Sequence, residues 1–328
     1  MTPHPRPPRL DPETARRHRL RNALHSVLLL GGMALILAAC AWVLAGLEGL
    51  VWTFLGALAG FGLMPRVSPR LVLGLYRARR IGARELPELF AVVRELSGRA
   101  GLGAVPSLYY VPSATLNAFA VGSRDDAAIA LTDGMLRRLS LRELAGVLAH
   151  ELSHIRNNDL WVMNLADVVS RLTSFMSTVG LVLLFVGLPL VLTGAAGPGW
   201  LLLIGVLVFA PTLVSLLQLA LSRAREFDAD RMAAELTGDP AGLAAALAKL
   251  ERHQGRMWED ILLPGRRVPV PSLLRTHPPT EARVRRLMAL YGPELRTQLP
   301  PTPGLGIPAA FAAVAPGRPH WRATGVWY

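Results

Sequence analysis

The chain has 328 residues, of which 52% are hydrophobic and 18% are charged, and its mean hydropathy is +0.36. Soluble domains carry about 25% charged residues, so this composition argues against an ordinary soluble protein. The net charge of +12 comes almost entirely from arginines beside apolar runs, which favours anionic lipid headgroups over nucleic acid as the counterpart.

The N-terminal part begins with a basic, proline-rich lead over residues 1–25, which we interpret as flexible. Residues 26–47 form a run of 22 without a charge, and after Glu48 the 17 residues of 49–65 are also uncharged. A signal peptide is the competing interpretation, but the first run is longer than a signal-peptide core and can cross a bilayer. The sequence therefore predicts a transmembrane hairpin with two spans over residues 26–65.

Residues 66–171 form an arginine-rich segment with the patterns of soluble structure. An amphipathic helix is predicted over residues 85–100, and a helical region begins after the last of three short β-like pieces. The three pieces are residues 107–111, 116–122 and 127–131. Together these patterns predict a small β-sheet beside helices.

A helix is predicted over residues 141–155, at the end of this segment. Ser140 followed by Glu143 is a capping-box pattern, and the leucines and valine that follow recur at helical spacing. Residues 150–154 of this helix read His-Glu-Leu-Ser-His.

This short motif is typical of a metal site. Residues four apart lie on one face of a helix, so His150 and His154 can direct their imidazoles at one ion. Glu151 then lies close to the ion without ligating it, which is the place of a general base for the attacking water. Since Cys40 is the only cysteine and lies in an apolar run, further ligands must be histidines or carboxylates. Chance occurrence on an ordinary amphipathic helix is the alternative.

The longest apolar tract covers residues 172–222, which are 51 residues without a charge. One helix of this length would extend about 75 Å, more than twice a hydrocarbon core of about 30 Å. Glycines and a proline at 194–199 supply a break, so the sequence predicts a second transmembrane hairpin with spans near 172–193 and 200–222. A hairpin buried in a soluble core is the alternative.

Charge predicts the orientation of these four spans. The turns near Glu48 and 194–199 carry no lysine or arginine, whereas the segments that flank the hairpins are rich in arginine. The positive-inside rule therefore predicts that the metal site faces the cytoplasm. Residues 223–291 are predicted to form soluble helices, and the Pro-rich residues 292–328 a loosely ordered tail.

A helix predicted just after the apolar tract offers the missing ligand. Glu226 and Asp230 lie four apart on one face, and a carboxylate from a second helix can complete a two-histidine site. Glu226 suits that role, and Asp230 suits that of an acceptor for the outward N–H of a ligating imidazole. The alternative is a surface helix whose arginines pair with these acids, namely Arg223, Arg225 and Arg231.

Four separated motifs resemble the HtpX-type membrane metalloproteases, a family related to the CAAX prenyl endopeptidases. They are residues 150–159, 225–230, 117–122 and 276–279 with Arg285 downstream. The resemblance covers roughly residues 26–291. It implies a mainly α integral membrane protein with about four transmembrane helices and a zincin-like α+β metallopeptidase domain that carries a small β-sheet.

The resemblance also implies the roles of the site residues. One Zn²⁺ per chain would be held by His150, His154 and Glu226, with Glu151 as the catalytic base. The sequence departs from the family at Phe227, where tyrosine is frequent, and at Val121, where threonine is frequent. The lead and the tail have no counterpart in the family pattern.

Substrate contacts are expected at two further places. The strand that begins at Asn117, Ala118, Phe119 and Ala120 would bind substrate as an added strand, with little sequence preference. His277 is a candidate hydrogen-bond donor to the developing oxyanion. An equally open interpretation is that Pro278 and Pro279 merely end a loop and that His277 is structural.

We therefore expect a zinc endopeptidase that cleaves misfolded or membrane proteins on the cytoplasmic side, in protein quality control and stress response. A membrane scaffold or adaptor with a structural or vestigial zinc site is one alternative, although the retained Glu151 argues against it. A transporter is another, but the apolar runs contain no ionisable residue. A prenyl-peptide endopeptidase is the rival enzyme, and from the resemblance we expect more spans in that branch. The oligomeric state is left open.

Overall fold

The structure is a computed structural model that describes residues 12–62, 69–194, 199–261 and 280–289. The chain divides into two compact units. One, which we call the sheet unit, comprises Met1–Ala15, Arg66–Leu160 and Arg225–Tyr328. The other, the apolar unit, comprises Arg16–Pro65 and Trp161–Ala224.

The apolar unit is built from three helices, some of which extend beyond it: α1 (Pro12–Gly62), α6 (Asp159–Leu192) and α7 (Gly199–Thr237). In each of these helices, a stretch is long and apolar enough to cross a membrane by length and composition. Their exposed side chains include many large apolar ones, such as Trp52, Phe185 and Leu192. Such a surface suits contact with lipid, since soluble proteins rarely expose extended apolar patches.

Helix α1 is broken in the middle. Gly46 has a φ of 56°, in the left-handed region that glycine enters without steric cost, and Ala45 is also non-helical. Met33, before the break, belongs to the same buried cluster as Ala166 of α6, and a methyl group on Gly60, after it, would lie 3.6 Å from Val168 of α6. In a straight helix residues 33 and 60 would be about 40 Å apart. The two halves of α1 therefore fold back on each other, with the turn two residues before the predicted Glu48.

Within the apolar unit, α6 and α7 run antiparallel. Gln218 of α7 donates a hydrogen bond to Asp167 of α6, and Leu207 lies against Gly180 further along. Residue numbers thus rise along one helix as they fall along the other. With the two halves of α1, the described apolar helices supply about four membrane-crossing segments, which agrees with the predicted number.

The sheet unit contains a four-stranded sheet in the order β1-β2-β4-β3. Its strands are β1 (Arg79–Arg80), β2 (Ser107–Val111), β3 (Ala118–Gly122) and β4 (Ala127–Thr132). β2 and β4 are parallel, and the other two pairs are antiparallel. The three predicted strands are present with shifts of at most two residues. β1 was not predicted, because two exposed arginines carry no strand pattern.

Besides the end of α7 (residues 225–237), six further helices lie in the described part of the sheet unit. They are α2 (Pro69–Leu75), α3 (Pro87–Ala100), α4 (Asp133–Arg138), α5 (Leu141–Asn157), α8 (Pro240–Ile261) and α9 (Thr280–Ala289). α5 packs against α3, α8 and β3, and the fully buried Leu144, Leu148 and Leu152 lie on its inner face. The opposite face of the sheet packs on α2 through Leu73.

Local chemistry fixes both ends of α5. The Ser140 side chain accepts a hydrogen bond from the backbone N–H of Glu143, and the Glu143 side chain accepts one from the backbone N–H of Ser140, which is the predicted capping box. Lys249 of α8 also donates a hydrogen bond to Glu143. The helix ends at Asn157, and its C-cap residue Asn158 adopts the left-handed conformation with a φ of 55°. In its middle, Gly146 allows α8 to approach closely at Leu243. These contacts hold the His-Glu-Leu-Ser-His turn in place.

Candidate active site

Two imidazoles of α5 converge at the centre of the site. His150 and His154 are one turn apart, and their Nε2 atoms are 3.1 Å from each other. Both side chains are largely buried. Their spacing on the helix is therefore sufficient to bring two imidazole nitrogens to one point, as the sequence pattern predicted.

Glu226 of α7 reaches the same point from a second helix. Its Oε2 lies 3.5 Å from Nε2 of His150 and its Oε1 lies 3.7 Å from Nε2 of His154. Within the described residues these three side chains form a group whose ligand atoms are all within 4.8 Å of one another. A tetrahedral zinc ion with bonds of 2.0–2.1 Å separates its ligand atoms by about 3.3 Å. The distances bracket that value, so the three residues fit a zinc ion.

Asp230 lies behind His150, where the sequence suggested an acceptor. Its Oδ1 is 3.0 Å from Nδ1 of His150, so the imidazole N–H donates to a carboxylate. Arg283 of α9 binds the same carboxylate through two hydrogen bonds of 2.6 and 2.7 Å, and its Nη1 lies 3.4 Å from Glu226 Oε2. A carboxylate in this place fixes the tautomer and the orientation of a ligating imidazole.

Asp159 holds the second imidazole in the same way. Nδ1 of His154 donates a hydrogen bond of 2.7 Å to Oδ2 of Asp159, and Arg225 binds Oδ1 at 2.8 Å. Asp159 and Arg225 each belong to a motif that carries the family resemblance, but the sequence predicted no contact between them. No local pattern joins residues 66 positions apart, so the pairing becomes visible only in the fold.

The arginine of α9 that enters the site is Arg283 and not Arg285, which the family resemblance had singled out. The Arg283 side chain is 7% exposed, whereas that of Arg285 is 72% exposed and pairs with Glu281 on the same helix. Arg286 lies with its guanidinium 3.7 Å from the centre of the Phe227 ring. α9 is therefore joined to α7 by an ion pair and by a cation–π contact.

The site strongly favours positive charge. Burial lowers the pKa of His150, but hydrogen bonds with Asp230 and Glu226 outweigh it and raise the pKa to about 10. Burial also lowers the pKa of His154, yet the hydrogen bond with Asp159 raises it above its usual value. The charged side chains of the site are Glu151, Asp159, Glu226, Asp230, Arg225 and Arg283. With neutral imidazoles, four carboxylates and two guanidiniums leave a net charge of −2, which a divalent cation neutralises.

Glu151 faces the edge strand of the sheet. Its Oε2 accepts a hydrogen bond of 3.0 Å from the backbone N–H of Ala120 in β3. Among the described strands β3 pairs only with β4, so this N–H points to the outer edge of the sheet. The backbone groups of an edge strand are free to pair with an extended peptide.

The predicted substrate residues divide between the two faces of β3. Ala118 and Ala120 face the core cluster that contains α5, whereas Phe119 packs in the cluster on the opposite face, 4.9 Å from the Tyr76 ring. Asn117 precedes the strand, and its backbone N–H is bonded to the Thr132 hydroxyl. His277 lies outside the described residues, three positions before α9 begins.

Comparisons with known proteins show which proteins this chain is similar to. A model of the family described as Peptidase family M48 matches residues 83–290. A protease HtpX homolog of Methylibium petroleiphilum is 34% identical over 284 residues, which are 82% of this chain and 98% of the relative. One of Acaryochloris marina is 38% identical and covers 82% of this chain and 94% of the relative. The crystal structure of S. mikatae Ste24p aligns at 17% identity with a TM-score of 0.46, over 83% of this chain and 66% of that chain.

Proposed function

Since the chain belongs to peptidase family M48, among its HtpX-type membrane metalloproteases, we propose that it is an endopeptidase that holds one Zn²⁺ per chain. The observation that carries the proposal is the convergence of His150, His154 and Glu226 in a buried site with a net charge of −2. These three residues would ligate the zinc and leave a fourth position open. When bound, zinc polarises the scissile carbonyl and activates a water for attack.

Glu151 is the proposed general base. Its carboxylate lies one residue from the first ligand and within hydrogen-bonding distance of the substrate edge at Ala120. From there Glu151 takes a proton from the attacking water and delivers it to the leaving amine. The same edge binds the peptide as an added strand along Ala118–Gly122. His277 remains a candidate donor to the oxyanion.

We expect the substrates to be misfolded or membrane proteins. Recognition through main-chain hydrogen bonds reads an extended backbone and little of its sequence, which suits chains that have lost their fold. The proposed location is the bacterial inner membrane, with the sheet unit on the cytoplasmic side and its arginines near anionic headgroups. Exposed arginines of the sheet unit that support this arrangement include Arg77, Arg79, Arg80 and Arg84.

The decisive experiment compares the detergent-purified wild type with Glu151→Gln. Both proteins are measured for zinc content and for cleavage of an unfolded protein. We expect equal zinc and a loss of cleavage by about 10²- to 10⁴-fold in the variant, the usual contribution of a general base. Equal cleavage by both proteins would contradict the role of Glu151. Zinc in both samples without cleavage in either would favour the scaffold interpretation.

A further inference from the structure

Two largely buried side chains beside the proposed zinc site have no part in ligation or in proton transfer. We propose that Asp159 and Arg225 are positioning residues, which fix the imidazole of His154 and tie it to the proposed ligand Glu226. The inference rests on the proposed function, because it assigns a role within the zinc site. Asp159 makes two hydrogen bonds, one with His154 and one with Arg225, and Arg225 directly precedes Glu226 in the chain.

The first step is the orientation of His154. An ionised carboxylate only accepts hydrogen bonds, so Asp159 Oδ2, at 2.7 Å, places the proton of a neutral His154 on Nδ1. The lone pair of the imidazole is then on Nε2, the atom that points at His150 and Glu226. The opposite tautomer would present an N–H to the metal and could not ligate it.

The second step is the orientation of the Asp159 carboxylate. Its side chain is only 4% exposed, so its oxygens need hydrogen-bond partners within the protein. Arg225 supplies such a partner through a hydrogen bond of 2.8 Å to Oδ1, which leaves Oδ2 for the imidazole. The guanidinium therefore holds the Asp159 carboxylate in the rotation that presents Oδ2 to His154.

The third step is the position of Arg225 and Glu226 as consecutive residues of α7. One helical turn therefore carries the proposed ligand Glu226 and also the residue that anchors His154 through Asp159. Asp230, the partner of His150, follows on the next turn of the same helix. A shift of this part of α7 would thus disturb all three ligands together, and the site would be lost cooperatively.

A purely structural role is the competing explanation. Asp159 is the first residue of α6, and a carboxylate at that position stabilises a helix N-terminus by itself. On that explanation, loss of the ion pair lowers stability and leaves the geometry of the metal unchanged. The two explanations therefore predict different affinity and ligand geometry for the bound metal, and not only different activity.

The test uses the full-length protein in detergent, loaded with Co²⁺ in place of zinc. Asp159→Asn and Arg225→Met should raise the Co²⁺ dissociation constant, measured by chelator competition, by about 10- to 100-fold. They should also alter the visible d–d absorption, which reports on ligand geometry. Arg225→Lys keeps the charge and should recover most of the affinity.

Two control variants lie on the same helix. Asp228→Asn breaks an ion pair of similar burial, Asp228 with Arg231 at 2.8 Å, and should lower the melting temperature while the Co²⁺ spectrum stays unchanged. Arg223→Met removes an exposed arginine and should change neither property.

Two outcomes would overturn the proposal, and they are distinguishable. If Asp159→Asn and Arg225→Met bind Co²⁺ with the affinity and spectrum of the wild type, the pair is structural and the proposed function stands. If the wild type itself binds neither Co²⁺ nor zinc, the proposed function fails and the positioning role fails with it.

Discussion

Arg283 is the cationic partner of two carboxylates of the site, Asp230 and Glu226. It contacts Asp230 through two hydrogen bonds and lies 3.4 Å from Glu226, and its own side chain is buried. Without it, Asp230 and Glu226 would lose a shared cationic partner in a site of low exposure, and the uncompensated buried charge would disfavour the fold.

We therefore predict that Arg283→Met destabilises the sheet unit by about 3 to 5 kcal/mol, the usual cost of removing one partner of a buried ion pair. The measurement is denaturant unfolding of the zinc-free protein in detergent. Arg285→Met is the matched control on the same helix, and its exposed side chain should contribute less than about 0.5 kcal/mol. A larger loss in Arg285→Met than in Arg283→Met would contradict the assignment.

At the scale of elements, the close approach of α5 and α8 decides where the histidines lie. A methyl group on Gly146 would be 2.8 Å from the backbone N and Cα of Leu243, a distance that neither backbone can absorb without moving. The position of α5, and with it that of His150, thus depends on the glycine at position 146, one turn before His150.

Gly146→Ala should destabilise the protein by about 1 to 3 kcal/mol, as overpacking does, and should reduce cleavage because α5 must shift. Gly98→Ala in α3 is the control, since nothing lies within 4 Å of the added methyl group. There the substitution should stabilise the protein by about 0.5 to 1 kcal/mol, because alanine loses less backbone entropy in a helix. Both effects can be read from thermal unfolding, and a stabilising Gly146→Ala would refute the close approach.

The first turn of α5 should also make stability depend on pH. Burial raises the pKa of Glu143, but hydrogen bonds from Lys249 and Ser140 outweigh it and hold the pKa below its usual value. A carboxyl with a lowered pKa stabilises the fold above the pKa of the unfolded chain, near 4.3, and loses that effect as the pH falls.

The wild type should therefore melt at a higher temperature than Glu143→Gln above about pH 5, and the difference should shrink below about pH 4. Thermal melts of both proteins across this range give the measurement. A difference that stays constant to low pH would mean that the side chain acts by shape and not by charge.

At the scale of the whole molecule, the topology of the apolar helices can be tested with cysteine chemistry. Cys40 is the only native cysteine and is buried, so replacing it with alanine gives a background for single labels. In intact cells, a membrane-impermeant maleimide should label Thr193→Cys, after the end of α6, which the positive-inside rule puts outside. Arg124→Cys, in the exposed β3–β4 turn, should react only after permeabilisation. The reverse pattern would refute the predicted orientation.

The sequence was informative where structure is set by local periodicity. The capping box at Ser140, the helical spacing of His150 and His154, and the i, i+4 spacing of Glu226 and Asp230 each involve neighbours in the chain. These patterns predicted helices and faces, and the three proposed ligands do meet in the structure. The roles of these residues in catalysis remain predictions.

What escaped prediction depends on contacts between distant segments. The pairs Asp159–Arg225 and Asp230–Arg283 join residues 66 and 53 positions apart, and no periodicity links them. The choice between Arg283 and Arg285 required knowing which face of α9 is buried. The turn of α1 lies at Gly46, because glycine accepts a positive φ there, whereas the predicted turn lay at the charged Glu48.

The described parts of the site come from three stretches of chain that are synthesised far apart in time. After His154 has been made, roughly 130 more residues, up to Arg283, must follow before the last of these contacts can form. At ribosomal rates this takes about 6 to 26 s, during which the second apolar hairpin is also made. We therefore expect the growing chain to carry its two histidines and Glu151 while the second apolar hairpin is made, with the site completed only when Glu226 and then helix α9 have followed.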